Sequence, residues 1–176
     1  MDYIILKALV QLHTPLGDWL MPKITVLCNH GDIWILCAIV LLLIPKTRKW
    51  GIAMAVALLL ANVLGNTVIK HLVERPRPFR TYPEFLPLLI SPPGGYSFPS
   101  GHTGASFAAA VALFRFDRKW GAAALVLAAL IGFSRLYLTV HYPTDVLGGL
   151  LLGTACGLFA AWAVKAVSRK VKNTKI

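Results

Sequence analysis

Acidic residues are scarce in this chain: 7 Asp and Glu stand against 18 Lys and Arg, a formal net charge of +11. The few carboxylates form no cluster, and neither an H-E-x-x-H nor a D-x-D pattern occurs, so a magnesium- or zinc-dependent route lacks ligands. No metal and no cofactor are expected, and any activity should resist EDTA. Cysteine is equally thin. Cys28, Cys37 and Cys156 have no C-x-x-C spacing or histidine arrangement of the zinc-site kind, and read as small apolar residues in or near helices. The N-terminus lacks a basic n-region and an A-x-A-like cleavage site, so the first helix is expected to stay. Charge itself is sparse, with 14% charged and 57% hydrophobic residues. A soluble protein of that composition would expose large apolar patches, whereas spanning helices turn such surfaces to lipid.

The positive charge suggests nucleic acid only until its positions are read. Lys46, Arg48 and Lys49, then Arg115, Arg118 and Lys119, then Lys165, Arg169, Lys170, Lys172 and Lys175 lie in turns or the tail beside apolar runs. That is the distribution of a topology signal, and no nucleic-acid partner is expected. Lys70, Arg75, Arg77, Arg80 and Arg135 fall elsewhere, in the motif regions described below.

The apolar pattern predicts an all-α fold, a polytopic membrane helix bundle of five or six transmembrane helices forming one domain over residues 1–176. Residues 1–14 are too short to cross about 30 Å of hydrocarbon and read as an interfacial helix. Residues 16–28, broken by Pro22, read as a tilted span or a re-entrant piece. Residues 33–44, 50–73, 101–114, 120–137 and 146–167 are the further helices, and 168–176 is a basic tail. Residues 75–100 hold seven of the 11 prolines and read as an extramembrane loop. With the turn at 46–49 placed in the cytoplasm, alternation puts the loop 75–100 and the segment around His141 outside and the tail inside. The expected location is the cell membrane, multi-pass, with every candidate functional residue at the extracytoplasmic face.

Three stretches carry the chemistry: Lys70 to Pro78 as K-x6-R-P, Pro99 to His102 as P-S-G-H, and Ser134 to Asp145 as S-R-x5-H-x3-D. A neutral imidazole at His141 is a good nucleophile toward phosphorus, and Asp145, four positions on, suits hydrogen bonding to its other ring nitrogen. Pro143 favours the first helical position, which sets Asp145 in the first turn of the last helix. Alone, the pair reads equally as an interfacial histidine and a helix-start acid. Ser100 is a plausible N-cap, and free amides at a helix start bind anions, with His102 toward a leaving group. Lys70, Arg77 and Arg135 would clamp the equatorial oxygens of a transferring phosphoryl group, although snorkelling also explains Lys70. Arg75 and Arg80 either read a second phosphate or solvate the loop, the reading preferred here being solvation. Asn62, Asn66 and Lys70 share four-residue spacing, as helix-to-helix glue or as support for Lys70. Gly149, Gly153 and Gly157 repeat at the same spacing and permit close helix packing.

Together the three motifs resemble, without a mismatch, the signature of the type 2 phosphatidic acid phosphatase family, whose members also include acid phosphatases and vanadium haloperoxidases. The resemblance covers Lys70 to Asp145. It implies His141 as nucleophile forming a phosphohistidine, His102 as general acid and Asp145 as partner of His141. Lys70, Arg77, Ser100, Gly101 and Arg135 are implied as phosphate-binding groups. The implied activity is hydrolysis of a lipid phosphate or pyrophosphate of the outer leaflet, such as undecaprenyl diphosphate, phosphatidylglycerophosphate or phosphatidic acid, with no obligate protein partner. Phosphotransfer to an acceptor lipid through the same intermediate, halide oxidation, and non-catalytic binding or transport of a lipid phosphate are the alternatives.

Overall fold

The computed structural model describes residues 1–173, and among them every regular element is helical. The interfacial segment forms α1 (Asp2–Val10), which Thr14 then separates from α2 (Pro15–Val26) by capping it, its hydroxyl accepting from the Gly17 amide. Pro22 does not break α2, contrary to expectation, since a proline is tolerated where neighbouring helices can satisfy the freed carbonyl. The break comes later. His30 (φ 55°) and Gly31 (φ 83°) are both left-handed in the short 3₁₀ turn Asn29–Gly31, and α3 (Asp32–Leu43) leaves α2 at 44°. Residues 16–28 and 33–44 therefore act as one bent unit.

After the basic turn, α4 (Arg48–Ala61) widens into a π-helical stretch, Asn62–Ile69, and closes with a single turn, α5 (Lys70–Val73). The proline-rich segment is structured. It carries the turn α6 (Pro78–Thr81) and a 3₁₀ turn at Pro83–Phe85, and its Phe79 and Phe85 pack with Leu6 of α1 and with Leu138, Val140 and Tyr142. The remaining helices are α7 (Gly101–Phe114), α8 (Arg118–Tyr137) and α9 (Pro143–Asn173). α9 runs through most of the basic tail placed at 168–176; residues 174–176 lie outside the described residues.

Among the described residues three helical stretches are long and apolar enough to span a membrane, 48–81, 118–137 and 143–171, or up to four with the bent α2–α3 pair taken as one. The apolar α7 has only 14 residues. Leu43, Leu59, Leu151 and Trp162 are among the large apolar side chains that point outward, which in a multi-pass membrane protein is toward lipid.

At the centre stands α7, with small buried residues (Gly104, Ala108, Ala109, Ala112) against α4, α8 and α9. Because lipid tails are as apolar as leucine, helices here associate through close van der Waals contact, for which small residues are needed. The glycine stripe of α9 supplies it. A Cβ on Gly149, Gly153 or Gly157 would lie 2.6, 2.3 or 2.7 Å from the carbonyl oxygens of Ser100, Gly104 and Ala108, a matching four-residue step along α7. The motif residues gather at one end of this bundle. At the other lie Arg48, Arg115 and Lys165, whose ammonium donates to the Arg115 carbonyl.

Gly153→Ala is expected to destabilise the protein by about 1–3 kcal/mol, because backbone rather than a movable side chain opposes the methyl. Gly94→Ala, with no atom within 4 Å of its would-be Cβ, is expected to be neutral. The apparent Tm of both variants in detergent checks the contrast.

Candidate active site

His141 belongs to the link between α8 and α9, outside the spanning segments, and it is buried (2% exposed). The link turns sharply at Thr139 (φ 53°), and the following residues run into Pro143, the first residue of α9. Asp145 therefore sits in the first turn, with His141 just ahead of it. The Asp145 carboxylate is fully buried; its Oδ2 accepts from the Tyr142 amide at 2.8 Å and lies 3.4 Å from His141 Nδ1. His141 Nε2 faces Arg77 Nη1 at 3.2 Å. A guanidinium only donates, so Nε2 accepts and the ring proton resides on Nδ1, which lies beside Asp145 without a hydrogen bond among the described residues. Burial, with the positive charges of Arg135, Arg77 and Lys70, holds the His141 pKa well below its ordinary value, and the ring is neutral at pH 7.

The proline-rich segment fixes Arg77. Its guanidinium donates to the carbonyls of Gly94 (2.9 and 3.2 Å), Gly95 (3.3 Å) and Val140 (3.0 Å), which strap the loop across the end of the bundle. Arg135, in the last turn of α8, is equally buried. Its Nη1 donates to Thr25 of α2 at 2.5 Å, and its Nε has no partner. Lys70 Nζ donates to Asn66 Oδ1 at 2.9 Å, and Asn66 Nδ2 donates to Asn62 Oδ1 at 2.9 Å, a relay along the π-helical stretch. Ser100 caps α7, accepting from the Thr103 amide and hydroxyl, and its own amide donates to the Asp145 carbonyl at 3.0 Å, which joins the second motif to the third.

These groups surround a cavity of about 530 Å³. Lys70, Arg77, Gly101, His102, Arg135 and His141 line it, while Ser100 and Asp145 stand behind the lining. Gly101 is there for space, since a Cβ would meet Asn66 Oδ1 at 2.7 Å. One wall is apolar, made by Ile35, Leu58, Leu59 and Ala61, and Ile35 and Leu59 are also exposed on the outer surface. The cavity thus joins a cationic floor to a lipid-facing flank. Among the described residues no three His, Cys, Asp or Glu side chains are grouped as a metal would require.

Sequence reasoning missed part of this arrangement. Asn29 Oδ1 lies 3.3 Å from His102 Nε2, and Thr25 holds Arg135, both from the bent α2–α3 unit whose residues carry no motif spacing. Arg75, read as solvating the loop, is instead hydrogen-bonded to Asp145, Asp2 and Thr144. Arg80 remains exposed, with Phe79 beneath it at 6.0 Å. The asparagine spacing was legible and does meet Lys70.

Comparison with known proteins places these features in context. A profile of the PAP2 superfamily matches residues 50–169. An undecaprenyl-diphosphatase of Sulfolobus acidocaldarius is 38% identical over 124 residues, which cover 69% of this chain and 59% of that protein. The chain thus spans about 60% of the length of that relative. Phosphatidylglycerophosphatase B of Bacillus subtilis is 30% identical over 187 residues, covering 98% of the chain and 85% of the relative. Among solved structures, LpxE of Aquifex aeolicus superposes with a TM-score of 0.79 at 28% identity, over 90% of this chain and 93% of that one.

Asn66→Leu removes the acceptor of Lys70 Nζ without a large change of volume. It is expected to lower turnover by about tenfold while the protein still purifies as a folded species, as loss of a charge-assisted hydrogen bond that positions a cavity-lining cation would. Unchanged turnover would mean that the asparagines only hold helices together.

Proposed function

The chain belongs to the PAP2 superfamily, and from that premise we propose that it is a membrane phosphatase which hydrolyses a lipid phosphate or pyrophosphate through a phosphohistidine on His141, without a metal. The observation that carries the reading is the His141 dyad. A buried, neutral imidazole stands with Nδ1 3.4 Å from a buried carboxylate, and its Nε2, which accepts from Arg77, faces a cavity rimmed by Lys70, Arg77 and Arg135.

Arg77 Nη1 lies 3.2 Å from His141 Nε2. A bound phosphoryl group would take the place of that contact, with its oxygens drawn by Arg77, Arg135 and Lys70 and by the amides at the start of α7. Burial and the surrounding cations hold the His102 pKa down to about 2, so His102 becomes the acid by taking a proton with the substrate, whose negative charge offsets those cations. Nε2 then attacks phosphorus, the bond to the leaving oxygen breaks, and protonated His102 gives that oxygen its proton. The imidazolium so formed is stabilised by Asp145. Water then attacks the phosphohistidine while His102 accepts its proton, releasing inorganic phosphate and restoring His141. Asn29 at His102 Nε2 supports that role by fixing the ring on the leaving-group side of the cavity.

The apolar wall suits an acyl or prenyl chain whose head reaches the cationic floor. Undecaprenyl diphosphate, phosphatidylglycerophosphate and phosphatidic acid are the candidate substrates, and the names of the relatives favour the first two. The basic turns at the opposite end of the bundle favour a cytoplasmic position for that end and an extracytoplasmic one for the site.

Detergent-purified wild type is expected to release phosphate from at least one of these three lipids in the presence of EDTA, and His141→Ala from none. Equal release by both proteins would remove the nucleophile assignment. Since the His141 pKa is lowered, its neutral form persists to lower pH, and the acid loss of kcat/KM is expected to begin below the ordinary histidine value of 6.5. A pH profile on a lipid diphosphate measures it.

A further inference from the structure

We propose that Arg75 and Asp2 are positioning residues for the nucleophile: through Arg75, the N-terminal helix α1 holds the Asp145 carboxylate in the orientation that presents Oδ2 to His141. A carboxylate presents two equivalent oxygens and turns easily about its last bond. Here the two are made distinct. Oδ2 takes the Tyr142 amide at 2.8 Å and faces His141 Nδ1 at 3.4 Å, whereas Oδ1 takes Arg75 Nη1 at 2.8 Å.

Arg75 is in turn held by several partners, although 28% of its side chain is exposed. Its Nη2 donates to Asp2 Oδ2 at 2.7 Å, Nη1 also donates to Thr144 Oγ1 at 2.6 Å, and the guanidinium lies 3.8 Å over the Tyr142 ring. Thr144 closes the ring of contacts, donating from its hydroxyl to Asp2 Oδ2 at 2.5 Å and from its amide to Asp2 Oδ1 at 3.3 Å. Asp2 is otherwise remote, since it belongs to α1 and Asp145 to α9. Arg75 is absent from the lining of the cavity, and it meets the catalytic dyad at Asp145.

The charges give Asp2 a second task. His141 must become cationic when it takes the phosphoryl group, and Asp145 must stabilise that charge. An unaccompanied Arg75 beside Asp145 would oppose this, because its positive charge lies behind the same carboxylate. Asp2 offsets it, so Arg75 acts as an orienting fork with little net field. Lysine could not do the same, having no planar pair of donors to bridge two carboxylates.

This inference rests on the phosphatase reading, and the test separates the two. Full-length wild type, Arg75→Gln, Arg75→Lys, Asp2→Asn and the Asp2→Asn/Arg75→Gln double variant are compared in detergent for kcat and KM on a lipid monophosphate and a lipid diphosphate. A ring-15N histidine spectrum of each reads the environment of His141 Nδ1–H without substrate, its signal assigned by its absence in His141→Gln.

Arg75→Gln is expected to lose on the order of 10- to 100-fold in kcat, the usual scale for outer partners of a reactive group, with KM nearly constant on both lipids. Arg75→Lys should not recover it. Asp2→Asn should lose about fivefold, and the double variant should be no worse than Arg75→Gln, since Asp2 acts through Arg75. The Nδ1–H tautomer should persist, because Arg77 still donates to Nε2, while the Nδ1 nitrogen and proton shifts should move in the same variants as Oδ2 turns away from the ring. A normal kcat in Asp2→Asn, losses that multiply in the double variant, or a KM rise confined to the diphosphate would each overturn the proposal. The last would make Arg75 a substrate contact. A wild type that releases phosphate from neither lipid would sink the phosphatase reading, while the Nδ1–H shifts, unchanged in Arg75→Gln or moved, would still decide the positioning.

Discussion

The uncompensated positive charge at one end of the bundle governs the rest of the structure. Lys70, Arg77 and Arg135 converge where water is limited, and Asp145, already paired with Arg75, is the one acid among the described residues that line or back the cavity. Like charges held close in such a medium repel strongly. The protein tolerates them by giving each cation neutral acceptors. The Gly94, Gly95 and Val140 carbonyls serve Arg77, Asn66 serves Lys70, and Thr25 serves Arg135. Carbonyl and hydroxyl oxygens orient a cation without cancelling its charge, so the cavity keeps an attraction for an anion that a set of salt bridges would have used up.

Helix packing supplies the rigidity that such a site demands. The glycine stripe of α9 lies directly on the α7 backbone, and the same contact carries the Ser100 amide to the Asp145 carbonyl. The start of one helix and the start of the other are thereby locked in register. His102 and His141, which belong to motifs some 40 residues apart, are carried to the same cavity by that register. The small residues distributed along α7 and α9 thus bear on chemistry as well as on stability.

Much of this was legible from residue spacing. Pro143 announced the start of the last helix and hence the position of Asp145; Ser100 announced the cap of α7; the four-residue glycine repeat announced a close helix contact. Each of these is a local rule, with cause and effect within a turn or two of helix. What stayed hidden depends on contacts between distant segments. Arg75 read as loop charge because its partner Asp2 lies 73 residues away, and Thr25 and Asn29 sit in a stretch whose break was assigned to Pro22. The break falls instead at His30 and Gly31, where two left-handed residues, invisible to hydropathy, bend the chain so that Asn29 meets His102. The π-helical widening at Asn62–Ile69 likewise has no signature in the spacing that suggested a plain helix.

The apolar wall of Ile35, Leu58 and Leu59 bears on how such a site meets its substrate. Because two of these side chains face both the cavity and the outside, a lipid can slide along them with its tail still in the leaflet. Encounter is then a two-dimensional search, and the relevant concentration is a mole fraction in the bilayer rather than a molarity in water. Turnover at fixed total substrate would fall as inert lipid or detergent is added, and a short-chain water-soluble phosphate, lacking that wall to follow, would be a poor substitute even though its head fits the same floor.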